Sequence, residues 1–272
     1  MEQALIEYGG KWELEKLSRI KFSNENKLYR AIRKRDQLPV VLKFFSDPNS
    51  CLHQANAMIW YDGLGCVKLL DADLEKGVLL VQEAVPGRSL ANYFLTKDEY
   101  AIQSFLKIIK LLHRKPVKEV TNFEPLITYL QPLFLPSKVD PLARDTMRDV
   151  AKQLLLTMTN QVLLHGDLYH GNIVSNSSSE WIAIDPVGLV GEAAFESAAF
   201  ICYPVQFLVA SDVRAPMIAR RVDQISQALE VERFRLQGWA AVFAMRKACE
   251  LYEKFNLLSR KWAYLSTVIM SI

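Results

Sequence analysis

No stretch of this 272-residue sequence is apolar and uncharged for long enough to cross a bilayer. The longest, residues 197–210, falls well short of the ~20 residues that a spanning helix needs. The N-terminus lacks the apolar core of a secretory signal, because Glu2, Glu7 and Lys11 interrupt it. Cysteine is scarce. Cys51, Cys66, Cys202 and Cys249 lie far apart with no CxxC or Cys/His spacing, which argues against structural zinc and a disulfide framework and fits a reducing cytoplasm. Neither sign of charge dominates: 33 Lys and Arg against 30 Asp and Glu leave a net charge of +3, too small and too scattered for a nucleic-acid partner. The one short basic run, residues 30–35, is expected on a solvated hairpin. Eleven Gly and eleven Pro exclude collagen-like or low-complexity material, and 50% hydrophobic with 23% charged residues excludes widespread disorder. The expectation is a soluble cytoplasmic protein of one large domain or two small lobes, with no membrane association and no protein partner inferred.

What is present divides unevenly along the chain. Residues 28–32 and 40–45 are β-branched or aromatic runs joined by a hairpin loop. Asn49 or Ser50 is expected to cap a helix running to Tyr61 and stopped by Gly63 and Gly65, and strands are expected at 67–70 and 78–83. Pro86-Gly87 breaks this pattern and marks a lobe boundary, giving residues 1–85 as a nucleotide-binding lobe and 86–272 as a catalytic and acceptor-binding lobe. Beyond it, Thr96-x-x-Glu99 has capping-box spacing, and Ile102, Phe105, Leu106, Ile109 and Leu112 form one apolar face. Asp140 opens a further helix, and from Glu192 onward the chain reads as nearly all helix. Short strands at 162–164, 173–175 and 181–184 are the exceptions. The fold class is α+β, with a small β-rich lobe followed by a larger α-rich lobe.

The densest polar chemistry lies between two of those strands, in His165-Gly166-Asp167-Leu168-Tyr169-His170-Gly171-Asn172, with Asp185 ending the strand that follows. Phosphoryl transfer from ATP needs a carboxylate to hold the acceptor hydroxyl and hard oxygen ligands for Mg²⁺. Asp167 suits the first role, and Asn172 and Asp185 the second. Protein kinases space their catalytic Asp and Asn five positions apart and place a metal-binding Asp on a later strand, as here. An isolated D-x4-N would be a loop satisfying its own backbone donors. The coincidence of two glycines, two histidines and a strand-borne Asp favours the functional reading.

HGDLYHGNIV followed by WIAIDPVGLVGEAAFE resembles the aminoglycoside phosphotransferase-like kinases, in particular their streptomycin 6-phosphotransferase and hydroxyurea phosphotransferase branch. The resemblance extends weakly back through VKLLDAD and VLLVQEAVPG. It implies a bilobal protein-kinase-like fold and ATP- and Mg²⁺-dependent transfer of a γ-phosphoryl group to a small-molecule hydroxyl. It also implies that Lys43 binds the nucleotide phosphates, and that Gln82, Glu83 and Val85 belong to a hinge that binds adenine. His165 and His170 would brace the catalytic loop, and Glu192 and Glu196 would face a cationic acceptor, with Asp140, Asp145 and Asp149 in the region of the acceptor wall.

Two departures from that pattern stand out. Gln54 aligns with the helix glutamate expected to pair with Lys43; alternatively Glu83 or another acid serves. The loop expected to cover the phosphates, residues 23–27, contains no glycine. Two other readings therefore remain open: a kinase of a metabolite such as an amino alcohol, sugar amine or homoserine, and a nucleotide-binding module with little catalysis.

Overall fold

The computed structural model describes residues 1–20, 27–114, 123–159, 161–176, 180–209, 215–253 and 255–272. The phosphate-covering loop expected at 23–27 lies outside the described residues except for Lys27. The first lobe comprises α1 (Glu2–Lys11), β1 (Leu14–Arg19), β2 (Lys27–Arg33), β3 (Leu38–Phe44), α2 (Pro48–Tyr61), β4 (Leu69–Asp73) and β5 (Val78–Gln82). Its strands form one antiparallel sheet in the order β1-β2-β3-β5-β4. Side chains alternate between the two faces of a strand, which decides what each residue can do. Val40 and Leu42 of β3 and Val78 and Leu80 of β5 pack with Tyr8 and Trp12 beneath α1. Val41 and Lys43 therefore project from the opposite face, toward the second lobe.

Helix α2 begins earlier than the expected Asn49 or Ser50, because Asp47 is the cap: its carboxylate accepts the amides of Asn49 and Ser50 at 3.2 and 3.0 Å, and Pro48 occupies the first turn. The helix ends where Asp62 turns left-handed, at φ 47°. The strand expected at 67–70 is displaced to β4, since the Val67 amide bonds instead to Ala183 of the second lobe at 2.9 Å. Neither α1 nor β1 was expected; Gly9 and Gly10 within α1 obscure its helical pattern, and only Tyr8 of that helix is buried. Within the basic run at 30–35, Arg33 is buried rather than solvated and pairs with Asp36.

The second lobe runs β6 (Pro86–Ser89), α3 (Asp98–Leu112), β7 (Glu124–Pro125), α4 (Leu126–Tyr129), α5 (Gln131–Phe134), α6 (Pro141–Leu156) and β8 (Gln161–Leu164). It continues with β9 (Ile173–Asn176), β10 (Glu180–Ala183), β11 (Leu189–Glu192), α7 (Ser197–Cys202), α8 (Val205–Leu208), α9 (Ala215–Leu229), α10 (Arg233–Leu251) and α11 (Asn256–Ser271). Two three-stranded sheets, β10-β9-β6 and β7-β11-β8, lie at the lobe junction. β11 was not expected as a strand: it is short and pairs with β8 some 25 residues away along the chain, Leu189 opposite Leu164. The apolar face foreseen on α3 is buried throughout, but the capping box is not formed; Lys97 stands at the cap position without a side-chain bond.

Asp98 in the first turn of α3 serves another purpose. Arg221 of α9, fully buried, donates to its carboxylate at 2.7 Å and also to the carbonyls of Phe200, Ile201 and Tyr203 at 3.2, 3.3 and 2.8 Å. One guanidinium thus closes the C-terminus of α7 and the N-terminus of α3 together. Substitution Arg221→Met leaves a buried carboxylate and three carbonyls without this partner, and we expect a stability loss of about 3–5 kcal/mol. Urea unfolding measures it; a loss below 1 kcal/mol contradicts the role assigned to the pair.

Candidate active site

The loop between β8 and β9 is fixed from below by Glu196. Its carboxylate accepts the amides of His165 and Gly166 at 2.7 and 3.0 Å and faces His113 Nε2 at 3.1 Å. Burial alone would raise this carboxyl, but the hydrogen bond and charge of His113, with His165 and the Gly166 amide, hold it below the ordinary glutamate value. Gly166 takes a left-handed φ of 84°, and a Cβ there would come within 2.9 Å of Leu189. His165 donates from Nε2 to the Ile184 carbonyl at 2.8 Å and accepts the Asp167 amide on Nδ1 at 3.4 Å. Burial, the largest effect, lowers its pKa, and these partners assign it the neutral tautomer. His170 lies stacked 3.9 Å from Phe200, with its pKa depressed first by burial and then by Arg221.

At the top of this loop, Asn172 Nδ2 donates to Asp167 Oδ2 at 3.1 Å and to the Asp167 carbonyl at 2.9 Å. Asp167 Oδ1 is buried without a hydrogen-bond partner among the described residues. Burial pushes the Asp167 carboxyl up to about 6, against the opposing pull of Lys247, Asn172 and Arg246. Asp185, just beyond β10, is left-handed at φ 60°, and its Oδ1 accepts from Lys43 Nζ at 2.6 Å. Lys43 also donates to Gln54 Oε1, while Gln54 Nε2 donates to the Pro186 carbonyl at 3.1 Å. Gln54 therefore occupies the place where a glutamate was expected; Glu83, the alternative, is paired with Arg30 instead.

Between the lobes lies a cavity of about 190 Å³. Lys43 and Asp185 line it together with Gln82, Glu83 and Ala84, over apolar walls that include Val41 and Ile184. Val85 lies outside the lining and is 46% exposed. The amides of Gln82 and Glu83 are committed to Lys68 and Pro39 carbonyls at 2.9 Å each. An apolar slot opening onto an ammonium group and a carboxylate suits a nucleobase with its phosphates. Asp185 and Asn172 fit Mg²⁺, which takes one or two protein oxygens beside phosphate and water. Among the described residues, no group of three or more His, Cys, Asp and Glu could hold a metal by itself.

Glu192 and Glu196, the acids expected to face the acceptor, are not placed as expected. Glu196 is the buried hub beneath the loop, and Glu192 is also buried, accepting from Trp239 Nε1 at 2.7 Å and from Arg235. Neither offers a carboxylate to a ligand. Asp140 caps α6 by accepting the Ala143 amide at 3.0 Å, while Asp145 and Asp149 pair with Arg148 and Lys152 at 3.0 Å each. The positive charge that acts on Asp167 comes from Lys247 and Arg246 of α10, which the sequence does not single out. A signal was available: the two cations directly follow the wholly apolar run 239–245.

Glu196 generates a pH-dependent expectation. Its folded pKa lies below the unfolded value of 4.5, so its stabilisation is complete above about pH 4.5 and is lost as pH falls through the folded value. Glu196→Gln removes that contribution, and the variant loses less stability than the wild type between pH 6 and 3. Parallel urea midpoints for the two proteins across this range would contradict the assignment.

The sequence profile of the family described as aminoglycoside/hydroxyurea antibiotic resistance kinase matches residues 11–254. A streptomycin 6-kinase from Streptomyces griseus is 26% identical over 235 residues, 84% of this chain and 76% of that protein. A hydroxyurea phosphotransferase from Kitasatospora aureofaciens is 26% identical over 212 residues, 75% of this chain and 59% of that protein. Among solved structures, an amicoumacin kinase in complex with AMP-PNP and Ca²⁺ superposes with a TM-score of 0.70 at 14% identity, over 98% of this chain and 93% of that one. With a family profile covering most of its length, this chain belongs to the aminoglycoside/hydroxyurea antibiotic resistance kinase family, phosphotransferases that act on hydroxyl groups.

Proposed function

We propose that this kinase takes ATP with Mg²⁺ and phosphorylates a hydroxyl of a small aminoglycoside-like or hydroxyurea-like acceptor. The observation that carries the reading is that the Asp167–Asn172 pair is tied through the Asn172 carbonyl to the amide of Ile184 at 2.9 Å, next to Asp185, which lines the inter-lobe cavity together with Lys43. In this reading Gln82, Glu83 and Ala84 form the wall against the base, and Lys43 meets the phosphates. Asn172 and Asp185 hold the metal, leaving Asp167 Oδ1 to orient the acceptor hydroxyl and receive its proton. Bound Mg²⁺-ATP supplies the phosphoryl group and neutralises charge developing on it. His165 and His170 position the loop from beneath, and the lobes divide at 85/86, where the chain has left the first sheet and β6 pairs with β9.

The cytoplasm is the proposed compartment. All four cysteines are free, three of them buried, and ATP is available there. No helix among the described residues is long and apolar enough to cross a membrane.

One observation favours a second reading, a nucleotide-binding module with little catalysis. Gln54 can hydrogen-bond Lys43 but cannot neutralise it, so Asp185 alone balances the ammonium. Acceptor-stimulated ADP release separates the two. We expect stimulation by at least one compound in a panel of streptomycin, hydroxyurea and small amino alcohols. Asp167→Asn should lower that rate by about 10²–10⁴-fold with an unchanged melting temperature. Undiminished turnover in the variant removes Asp167 from the mechanism.

A further inference from the structure

Two ion pairs stand at opposite ends of the inter-lobe cavity, and the chemistry proposed above draws on only one. Among the described residues that line it, the charged ones are Lys43 and Asp185, which pair with each other, and Arg30 and Glu83, which do the same. Strand register sets their separation. Leu28 stands opposite Lys43, which in turn pairs with Leu79; Arg30 stands opposite Val41, which pairs with Val81. Both rows therefore share the cleft face of the first sheet, two residues or about 7 Å apart. Glu83 lies two residues beyond Val81 on the same face, and its amide donates to the Pro39 carbonyl at 2.9 Å. Arg30 Nε donates to Glu83 Oε1, and the Glu83 side chain is only 17% exposed. Between the two pairs the walls are apolar: Leu28, Val41 and Val81 from the first lobe, Val174 and Ile184 from the second.

With a nucleotide bound as proposed above, its phosphates lie at the Lys43 end and its base at the Arg30–Glu83 end. The two purines make different demands there. Guanine presents N1–H and N2–H₂ donors, which match a carboxylate, and O6 and N7 acceptors, which match a guanidinium bidentately. Adenine presents one amino donor among ring-nitrogen acceptors and matches neither ion in that way. While Arg30 and Glu83 are bonded to each other, neither is offered to the base. Guanine, with the larger set of polar groups to desolvate, would then bury them against apolar walls. Resting on the nucleotide reading, we propose that the Arg30–Glu83 pair is the determinant of base selectivity: bonded together the two ions disfavour guanine, whereas either one left alone would accept it.

The test is calorimetric titration of the full chain with AMP-PNP and with GMP-PNP, each with Mg²⁺, in the wild type, Arg30→Met, Glu83→Gln and the double variant. The wild type should bind AMP-PNP at least about tenfold more tightly than GMP-PNP, and each single substitution should reduce that ratio by about tenfold. The double variant, which leaves no unpaired ion at the base end, should return the ratio to within about threefold of the wild type. A merely structural role for the pair would weaken both nucleotides alike and leave the ratio unmoved. The proposal is overturned if the wild type binds the two nucleotides equally, if neither single substitution changes the ratio, or if the double variant loses as much selectivity as the two single changes combined. Tight AMP-PNP binding with a ratio indifferent to both substitutions would reject this proposal and preserve the nucleotide reading. Failure of the wild type to bind either nucleotide would reject both.

Discussion

A single ammonium group connects the two halves of this molecule. Lys43 is almost fully buried, so its charge must be met on site, and Asp185 meets it at 2.6 Å from the other lobe. That contact requires β3 to present Lys43 on the cleft face of its sheet, which the β2–β3–β5 register ensures. It also requires the chain after β10 to turn left-handed at Asp185, where a bonded carboxylate offsets the backbone cost. Gln54 ties the same ammonium to the Pro186 carbonyl, so α2 enters the arrangement as well. Gly188 admits the helix: a Cβ there would stand 2.8 Å from the His53 carbonyl oxygen.

The second lobe answers with its own buried charge. Glu196 does for the catalytic loop what Asp185 does for Lys43, converting a desolvated carboxylate into a fixed support by giving it two amides and a histidine. The loop above can then hold Asp167 with one carboxylate oxygen bonded to Asn172 and the other without a partner among the described residues. In the proposed mechanism that oxygen receives the incoming hydroxyl. The lobe junction and the loop thus depend on two different buried ions, Lys43 bridging the lobes and Glu196 beneath the loop.

How much of this was legible in the sequence follows from the range of the interactions. The Asp167–Asn172 pair spans five residues, so its spacing, with the glycines and histidines around it and Asp185 on the next strand, was visible locally, and Lys43 stood out as a cation within an apolar strand. Gln54 was found through its place on the helix after β3. Glu192 and Glu196 were misread as acceptor-facing because their partners lie far along the chain: Arg235 and Trp239 for the first, His113 for the second. No local pattern distinguishes an acid awaiting a ligand from one already consumed by the fold. The same limit hid β11, whose strand character comes from β8, and α1, whose two glycines weaken the helical signal while its burial rests on Tyr8 alone.

In the proposed mechanism Asp185, balanced by Lys43 in the free protein, becomes a metal ligand when nucleotide binds. Calorimetric titration of ATP with and without Mg²⁺, in wild type and in Asp185→Asn, addresses it directly. The account predicts that Mg²⁺ strengthens ATP binding by about tenfold or more in the wild type and by much less in the variant. Equal ATP affinity with and without Mg²⁺ in the wild type, or the same Mg²⁺ dependence in Asp185→Asn, would contradict it.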